Sequence, residues 1–273
     1  MVFSLFTFNF VKNKISMKVA IIGAGNMGGA IARGLAQGTI ISASDITVAN
    51  PSSGKLEALK GEYPDISVTN DNHEAMIDAD IIILAVKPWL VEQVLSIFTF
   101  NPEKQILVSV AARISFDELA KSVGPEITMF RVIPNTAISE LASMTLVASR
   151  NASAEQEKLM LDIFNEMGLA MLIPEEKIEA TTSLTSCGIA YVLKYIQAAM
   201  QAGVEMGVRP ADGMKMIAQS VKGAAELILN NDTHPSVEID KVTTPGGITI
   251  KGINELEHEG FTSAIIKAMK ASC

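Results

Sequence analysis

A short apolar run that leads directly into a glycine-rich loop constrains this chain more than any other feature. Residues 18–23 read KVAIIG, and the chain continues as AGNMG to Gly28. In a turn from strand to helix, Gly23 permits the tight turn, Gly25 lets a pyrophosphate approach the backbone, and Gly28 allows close packing of helix on strand. The N–H groups that open the helix then receive the anion. We therefore predict a dinucleotide site, rather than a plain glycine turn, at Gly23, Gly25, Asn26, Met27 and Gly28.

Short apolar runs alternate with helix-compatible stretches from Lys18 to about Glu175. Several runs are β-branched and apolar at consecutive positions, which indicates strands covered on both faces. The alternation predicts an α/β fold, a doubly wound and mostly parallel Rossmann-type sheet over residues 17–175. The predicted strands are 18–23, 46–50, 66–69, 81–86, 105–110, 127–133, 144–149 and 170–174.

The remaining part, residues 176–273, has no convincing strand. Residues 176–206 predict a single helix of about 30 residues, roughly 45 Å long. Shorter helices are predicted over 211–229, 249–258 and 262–270. A long helix that is apolar on much of its circumference must bury that surface. We therefore predict an all-helical dimerisation domain that forms a homodimer through these C-terminal helices, and a larger ring of dimers remains open.

Composition excludes several classes of partner. The formal charge of −8 and the pI near 5.0 argue against nucleic acid or an anionic membrane. The two cysteines, Cys187 and Cys273, form no CxxC motif, which indicates no disulfide framework, no metal site and a reducing cytoplasmic location. Residues 1–16 lack the positive region and cleavage site of a signal peptide. We interpret them as an extension with no role in the fold; the alternative is a targeting segment.

The end of the second predicted strand bears on the choice of dinucleotide. NAD enzymes usually carry an acid there to hold the ribose hydroxyls, whereas this chain reads ANPSSGK. Asn50, Ser52, Ser53 and Lys55 would instead surround a 2′-phosphate next to a helix N-terminus. Taken singly, the serines are equally typical of helix N-caps and the lysine of a solvated helix face. Together with the missing acid they favour NADPH, with NADH left open.

A further turn follows the fourth predicted strand. Val86, Lys87 and Pro88 stand at the carboxyl end of the strand IIILAV, where ligands bind in such sheets. Lys87 faces the cofactor or merely ends the strand; the sequence supports both readings equally.

Four stretches resemble one enzyme family. They are AIIGAGNMGGAIARGL, AVKPWLVEQVL, RVIPNTA and, above all, the long segment over residues 234–269 that contains TTPGGITIKG. Over residues 17–272 the chain is similar to pyrroline-5-carboxylate reductases. The resemblance implies hydride transfer from NAD(P)H to the C=N carbon of Δ1-pyrroline-5-carboxylate, which gives L-proline, with an active site at a dimer interface.

The resemblance also implies roles for particular residues. Thr249 would supply the catalytic hydroxyl that hydrogen-bonds the ring nitrogen, although the same residue is a candidate N-cap of the next helix. Asn135, in RVIPNTA, would line the nicotinamide pocket, unless that turn merely ends a strand. Backbone N–H groups of the second glycine turn would receive the substrate carboxylate. The predicted substrate site comprises Thr244, Pro245, Gly246, Gly247 and Thr249.

The chain departs from the family pattern before its long helix. The family's SGSGPAY is TSCGIAY here, so that Ser186, Cys187 and Ile189 change the bulk of this segment. These changes leave open a six-membered cyclic imine acid as substrate and a non-catalytic NADPH sensor. A β-hydroxyacid dehydrogenase is a further alternative, with Lys194 as its acid. That class places an asparagine four residues later, where this chain has Ala198.

Overall fold

The computed structural model describes residues 17–273, so the prediction for residues 1–16 lies outside the described part of the chain. The chain divides into two compact units, the first ending at Thr182 and the second beginning at Ser183. The predicted boundary after residue 175, between the nucleotide-binding domain and the dimerisation domain, stays a prediction. Structurally, the first unit extends further because Ile178 is buried in its core.

The first unit is built on one eight-stranded sheet with the order β3-β2-β1-β4-β5-β6-β7-β8. All neighbouring strands are parallel except β6 and β7, which are antiparallel. This confirms the predicted Rossmann-type fold and all eight predicted strands. The strands are Val19–Ile22 (β1), Ile46–Ala49 (β2), Ser67–Thr69 (β3), Ile81–Leu84 (β4), Ile106–Ser109 (β5), Thr128–Ile133 (β6), Ser143–Arg150 (β7) and Gly168–Leu172 (β8).

Helices cover both faces of this sheet. Two of them begin with a reciprocal capping box, at Ser115 with Glu118 and at Ser153 with Gln156, which satisfies the first free N–H groups of each helix. The helices are Asn26–Gln37 (α1), Ser53–Glu62 (α2), Asn72–Met76 (α3), Val91–Leu95 (α4), Phe116–Val123 (α5), Ala154–Asn165 (α6) and Ile178–Thr182 (α7). Short 3-10 turns lie at Ala43–Asp45, Pro88–Leu90, Thr136–Glu140 and Glu175–Lys177.

Strand β1 is apolar at every position because it is buried on both faces of the sheet. Val19 and Ile21 belong to the cluster of buried side chains on one side of the sheet, and Ala20 and Ile22 to the cluster on the other. Successive side chains of a strand point to opposite faces, so a central strand needs apolar residues at every position. The sheet therefore separates two hydrophobic layers and is held from both sides.

An ion pair anchors the segment that follows β8. Arg131 lies buried in β6, and its guanidinium donates to the Glu175 carboxylate at 2.7 Å. The same carboxylate accepts the N–H of Phe116 at 2.8 Å. Removing one partner of a buried pair leaves an uncompensated charge, so Glu175 fixes the start of the helical run against β6 and α5.

The second unit is entirely helical among the described residues, which confirms the prediction of helices after the sheet. Its helices are Gly188–Glu205 (α8), Pro210–Asn231 (α9), Pro235–Val242 (α10), Ile248–His258 (α11) and Phe261–Ala271 (α12). Helix α10 was not predicted. It starts with a proline in its first turn, and His234 Nδ1 accepts the N–H of Ser236 at 3.2 Å.

The predicted single helix over 176–206 is wrong in one respect. The segment is helical almost throughout, but the 3-10 turn and α7 are followed by a π-helical turn at Ser183–Cys187 before α8 begins. In a π-turn each hydrogen bond spans one residue more than in an α-helix. The hydroxyl of Ser183, which is buried, donates to the carbonyl of Met269 in α12 at 2.5 Å. This contact holds the π-turn against the last helix of the second unit.

Among residues 17–273, no helix is both long enough and apolar enough to cross a lipid bilayer.

Candidate functional site

The first glycine loop has the geometry that its spacing predicts. Gly23 has φ +107°, and a Cβ atom there would lie 2.5 Å from the carbonyl oxygen of Ala85. A Cβ atom on Gly28 would lie 1.9 Å from the carbonyl oxygen of Gly23. At Gly25, by contrast, a Cβ atom would meet nothing within 4 Å. The outer glycines therefore allow close packing, whereas the middle one faces open space that a ligand can enter.

Helix α1 presents its N-terminus at this open space. Gly25 is the N-cap residue and offers no side chain to cap the helix, and the first turn holds no acidic residue. The leading N–H groups of a helix have no partner within the helix and carry partial positive charge. This end of α1, with Asn26 and Met27 in its first turn, can bind a phosphate group.

The end of β2 is joined to the glycine loop by Asn50. Its side-chain oxygen accepts the N–H of Ala24 at 3.0 Å, and its amide nitrogen donates to the carbonyl and hydroxyl oxygens of Ser52 at 3.0 and 2.8 Å. Ser52 stands at the N-cap position of α2, but its side chain caps no N–H group of the helix. The alternative that the Ser52 side chain caps α2 is therefore wrong.

The first turn of α2 presents polar, exposed side chains without an acid. Ser53 donates its hydroxyl to the side-chain oxygen of Asn70 at 3.3 Å, and Lys55 is exposed on the same turn. Asn70 directly follows β3 and donates to the carbonyl of Asn50, and it was not among the predicted site residues. Its position follows from the pairing of β2 with β3.

The turn after β4 lies at the same edge of the sheet. Val86 is half-buried, Lys87 is exposed at the N-cap of the 3-10 turn, and Pro88 opens that turn. The chain's single tryptophan, Trp89, is 76% exposed next to them. Since β1, β2 and β4 run parallel, their following loops meet at one edge, where ligands bind in such sheets.

Asn135 follows β6 and is held by a buried set of hydroxyl groups. Its side-chain oxygen accepts the N–H of Ala137 at 3.0 Å, and its own N–H donates to the Ser143 hydroxyl at 3.1 Å. Ser143 in turn accepts the hydroxyl of Thr145 at 3.0 Å. Ser143 and Thr145 were not predicted, because a buried serine or threonine in a strand has no sequence signature. They fix the turn that carries Asn135.

The second glycine turn lies in the second unit, between α10 and α11. Gly246 has φ +72°, a conformation that favours glycine. Gly247 donates its N–H to the carbonyl of Thr244 at 2.9 Å and is the N-cap residue of α11, with no side-chain cap. Thr244, Pro245 and Gly246 are exposed. The turn thus offers free N–H groups at a helix N-terminus.

The alternative reading of Thr249 as an N-cap is wrong. Gly247 occupies that position, and Thr249 is the second residue of α11, with its side chain exposed. The hydroxyl is therefore not required to satisfy the start of the helix in the way that an N-cap residue is. The Thr249 hydroxyl can therefore bind a ligand.

The TSCGIAY segment spans the π-turn and the start of α8. Ser186 and Cys187 belong to the π-turn, Ile189 to the first turn of α8, and Tyr191 donates its hydroxyl to the carbonyl of Ala268 in α12 at 3.2 Å. Over residues 17–273, no group of three or more histidine, cysteine or acidic side chains is arranged to hold a metal ion.

Comparison with known proteins decides the family. The chain is 37% identical to pyrroline-5-carboxylate reductase 1 of Dictyostelium discoideum across 93% of its residues, but spans only 48% of that relative. It is 36% identical to pyrroline-5-carboxylate reductase 2 of the same organism, across 95% of this chain and 92% of the relative. The chain belongs to the pyrroline-5-carboxylate reductase family. Its resemblance to that family is thereby confirmed.

A solved structure and two family models agree with this membership. The structure of Plasmodium falciparum pyrroline carboxylate reductase with NADP bound matches with a TM-score of 0.84 and 28% identity, over 94% of this chain and 95% of that one. The model for pyrroline-5-carboxylate reductase dimerisation matches residues 175–273. The model described as NADP oxidoreductase coenzyme F420-dependent matches residues 18–113. The chain is thus an NAD(P)H-dependent oxidoreductase whose nucleotide-binding unit precedes a dimerisation domain.

Gly25→Ala and Gly28→Ala form a matched pair that tests the loop. We expect Gly25→Ala to fold normally but to bind NADPH at least about tenfold more weakly, because the methyl group occupies the space of the pyrophosphate. Gly28→Ala should lower the melting temperature, because its methyl group meets a backbone oxygen. Calorimetry and NADPH titration measure both effects. Equal losses of stability in the two variants would contradict the separate roles of these glycines.

Proposed function

We propose that this chain reduces Δ1-pyrroline-5-carboxylate to L-proline. A hydride passes from the nicotinamide of NADPH to the C=N carbon, and the ring nitrogen keeps its proton, so that NADP⁺ and proline are the products. One observation carries the proposal: the family match runs over nearly the whole chain, and both glycine turns that it requires are present with open N–H ends.

The reaction needs no strong catalytic acid or base. A cyclic imine that is protonated on nitrogen is already an electrophile, and the site must orient the ring, hold its carboxylate and exclude water. Such positioning supplies a large part of many enzymatic rate accelerations. The absence of a buried histidine from the candidate segments is compatible with this demand, since hydride transfer to an iminium needs no further proton donor.

In the second unit, we assign substrate binding to the turn before α11. In the turn of Pro245, Gly246 and Gly247, the N–H of Gly246 and the leading N–H groups of α11 would receive the substrate carboxylate, helped by the partial positive charge of the helix N-terminus. Thr244 closes this turn through its carbonyl oxygen. The exposed hydroxyl of Thr249, in the first turn of the helix, would bond the ring nitrogen. As the iminium nitrogen becomes an amine, it gains a lone pair that this hydroxyl can meet.

In the first unit, we assign NADPH to the loops at the carboxyl edge of the sheet. The pyrophosphate would lie on Gly23, Gly25 and the start of α1. The 2′-phosphate would lie on Ser52, Ser53 and Lys55, where no acid repels it. The nicotinamide end would be lined by the segments that contain Val86, Lys87, Pro88 and Asn135. NADPH is the preferred cofactor on this reading, and NADH remains usable.

The second unit leaves many apolar side chains exposed, including Leu193, Val204, Met216, Leu229 and Ile266. Exposed apolar side chains in large number are typical of an interaction surface. We therefore propose a homodimer through the C-terminal helices, which the match to the dimerisation model supports. A ring of dimers and a cytoplasmic location stay predictions.

The dehydrogenase alternative lacks support. Lys194, its candidate acid, donates to the side-chain oxygen of Gln197 on the exposed surface of α8 at 2.9 Å. A lysine ammonium bound in this way is typical of a solvated helix face. Ala198 also stands where that class needs an asparagine.

We expect the purified chain to oxidise NADPH faster than NADH in the presence of racemic Δ1-pyrroline-5-carboxylate. The absorbance of the reduced cofactor measures both rates, and a six-membered cyclic imine acid serves as the alternative substrate. Faster turnover of the six-membered ring would show that Ser186 and Ile189 have redirected the substrate pocket. Binding of NADPH without turnover of either imine would contradict the proposed reaction.

Replacement of Thr249 by valine keeps the shape of the side chain but removes its hydroxyl. Loss of an oriented donor costs roughly 10²- to 10³-fold in rate where it stabilises developing charge. An iminium develops less charge, so we expect a fall in kcat of about 10²-fold or less. Thr243→Val is the matched control, because the Thr243 hydroxyl is bonded to the carbonyl of Ile239 within α10. An unchanged kcat in a folded Thr249→Val protein would remove Thr249 from the mechanism.

A further inference from the structure

The side chain of Asn50 is fully engaged by protein groups. An asparagine amide offers one oxygen and two N–H groups. The oxygen accepts the N–H of Ala24, and the nitrogen donates to both the carbonyl and the hydroxyl of Ser52. These contacts engage both polar atoms of the amide. They join the glycine loop on one side to the first residue before α2 on the other.

Asn70 extends this connection to a third segment. Its amide nitrogen donates to the carbonyl of Asn50 at 2.8 Å, and its oxygen accepts the Ser53 hydroxyl at 3.3 Å. The N–H of Asn50 donates to the carbonyl of Thr69 at 3.2 Å. The segments that leave β2 and β3 are therefore bonded to each other through both backbone and side chain.

We propose that Asn50 and Asn70 are positioning residues that form an asparagine clamp on the cofactor edge. The clamp fixes Ala24 in the glycine loop and Ser52 and Ser53 at the start of α2. Asn50 would act through the loop that receives the pyrophosphate, and the 2′-phosphate would be left to Ser52, Ser53 and Lys55. This inference rests on the proposed binding of NADPH at this edge.

The clamp predicts a different pattern of cofactor dependence from direct contact. NADH and NADPH share the pyrophosphate and differ only in the 2′-phosphate. Loss of a clamp that fixes the glycine loop must weaken the binding of both cofactors, because a loop ordered before binding lowers the entropic cost of either complex. A side chain that touched the 2′-phosphate would affect NADPH alone.

Aspartate at position 50 separates these two effects. Its carboxylate can accept the N–H of Ala24, so the glycine loop keeps its anchor, and the charge strengthens that hydrogen bond. The carboxylate cannot donate to Ser52. It also adds a negative charge beside the start of α2, which favours ribose hydroxyls over a phosphate.

The experiment measures dissociation constants of NADPH and NADH for the full chain, by energy transfer from its single tryptophan, Trp89, to the reduced nicotinamide. For Asn50→Ala we expect both constants to rise about tenfold, the size expected for loss of the hydrogen bond to Ala24, and the NADPH constant to rise no less than the NADH constant. For Asn50→Asp we expect the NADH constant to return to within about threefold of the unmodified chain, and the NADPH constant to stay at least about tenfold weaker.

Two controls keep the test decisive. Ser67→Ala changes an exposed residue at the far end of β3 and should alter neither constant. If Asn50→Ala does not fold, as judged by circular dichroism, Asn70→Ala replaces it with the same expectation for both cofactors. A weakening of NADPH alone by either alanine variant would overturn the clamp, as would unchanged constants. An unmodified chain that binds neither cofactor would contradict the proposed function itself.

Discussion

The close approach of helix α1 to strands β1 and β4 is the constraint on which the cofactor edge depends. Gly28 lies against the carbonyl of Gly23, and Gly23 lies against the carbonyl of Ala85, each at a distance that excludes a side chain. Because the helix packs this closely, its N-terminus opens directly at the end of the sheet. The buried layers on both faces of β1 hold the strand rigidly, so the loop that follows starts from a fixed point.

Hydrogen bonds among neighbouring loops then order this edge. Asn50 bonds the glycine loop, Asn70 bonds Asn50, and the buried hydroxyls of Ser143 and Thr145 hold the turn that carries Asn135. Each of these loops follows a strand of the same sheet, so small shifts of one loop are resisted by the others. A reaction that relies on positioning rather than on a strong acid benefits from such order, since misplacement of the reacting atoms is its main source of lost rate.

Much of the fold was predictable from sequence because its strands are buried on both faces. Consecutive apolar residues and glycine spacing are local signals, and they identified all eight strands and the cofactor loop. The π-turn at Ser183–Cys187 was missed because an altered hydrogen-bond pattern within a continuous helix leaves the apolar periodicity nearly unchanged. Helix α10 was missed although Pro235 is a typical first residue of a helix.

The candidate site was predictable only in part, for a related reason. Gly25 and the second glycine turn have motifs of their own, whereas the partners of Asn50 come from segments distant along the chain. Ala24 and Asn70 lie 26 and 20 residues away from it, and only strand pairing brings them together. The position of Thr249 within α11, rather than at its N-cap, likewise depends on where the preceding turn ends.

In the proposed reaction a hydride passes from the dinucleotide to the imine carbon of the substrate. The most direct test uses NADPH that carries deuterium at both hydrogen positions of its nicotinamide C4 atom, together with Δ1-pyrroline-5-carboxylate, and analyses the product by mass spectrometry and NMR. We expect L-proline with deuterium at its C5 atom, in an amount equal to the cofactor oxidised. Cofactor oxidation without proline, or proline without deuterium at C5, would contradict it.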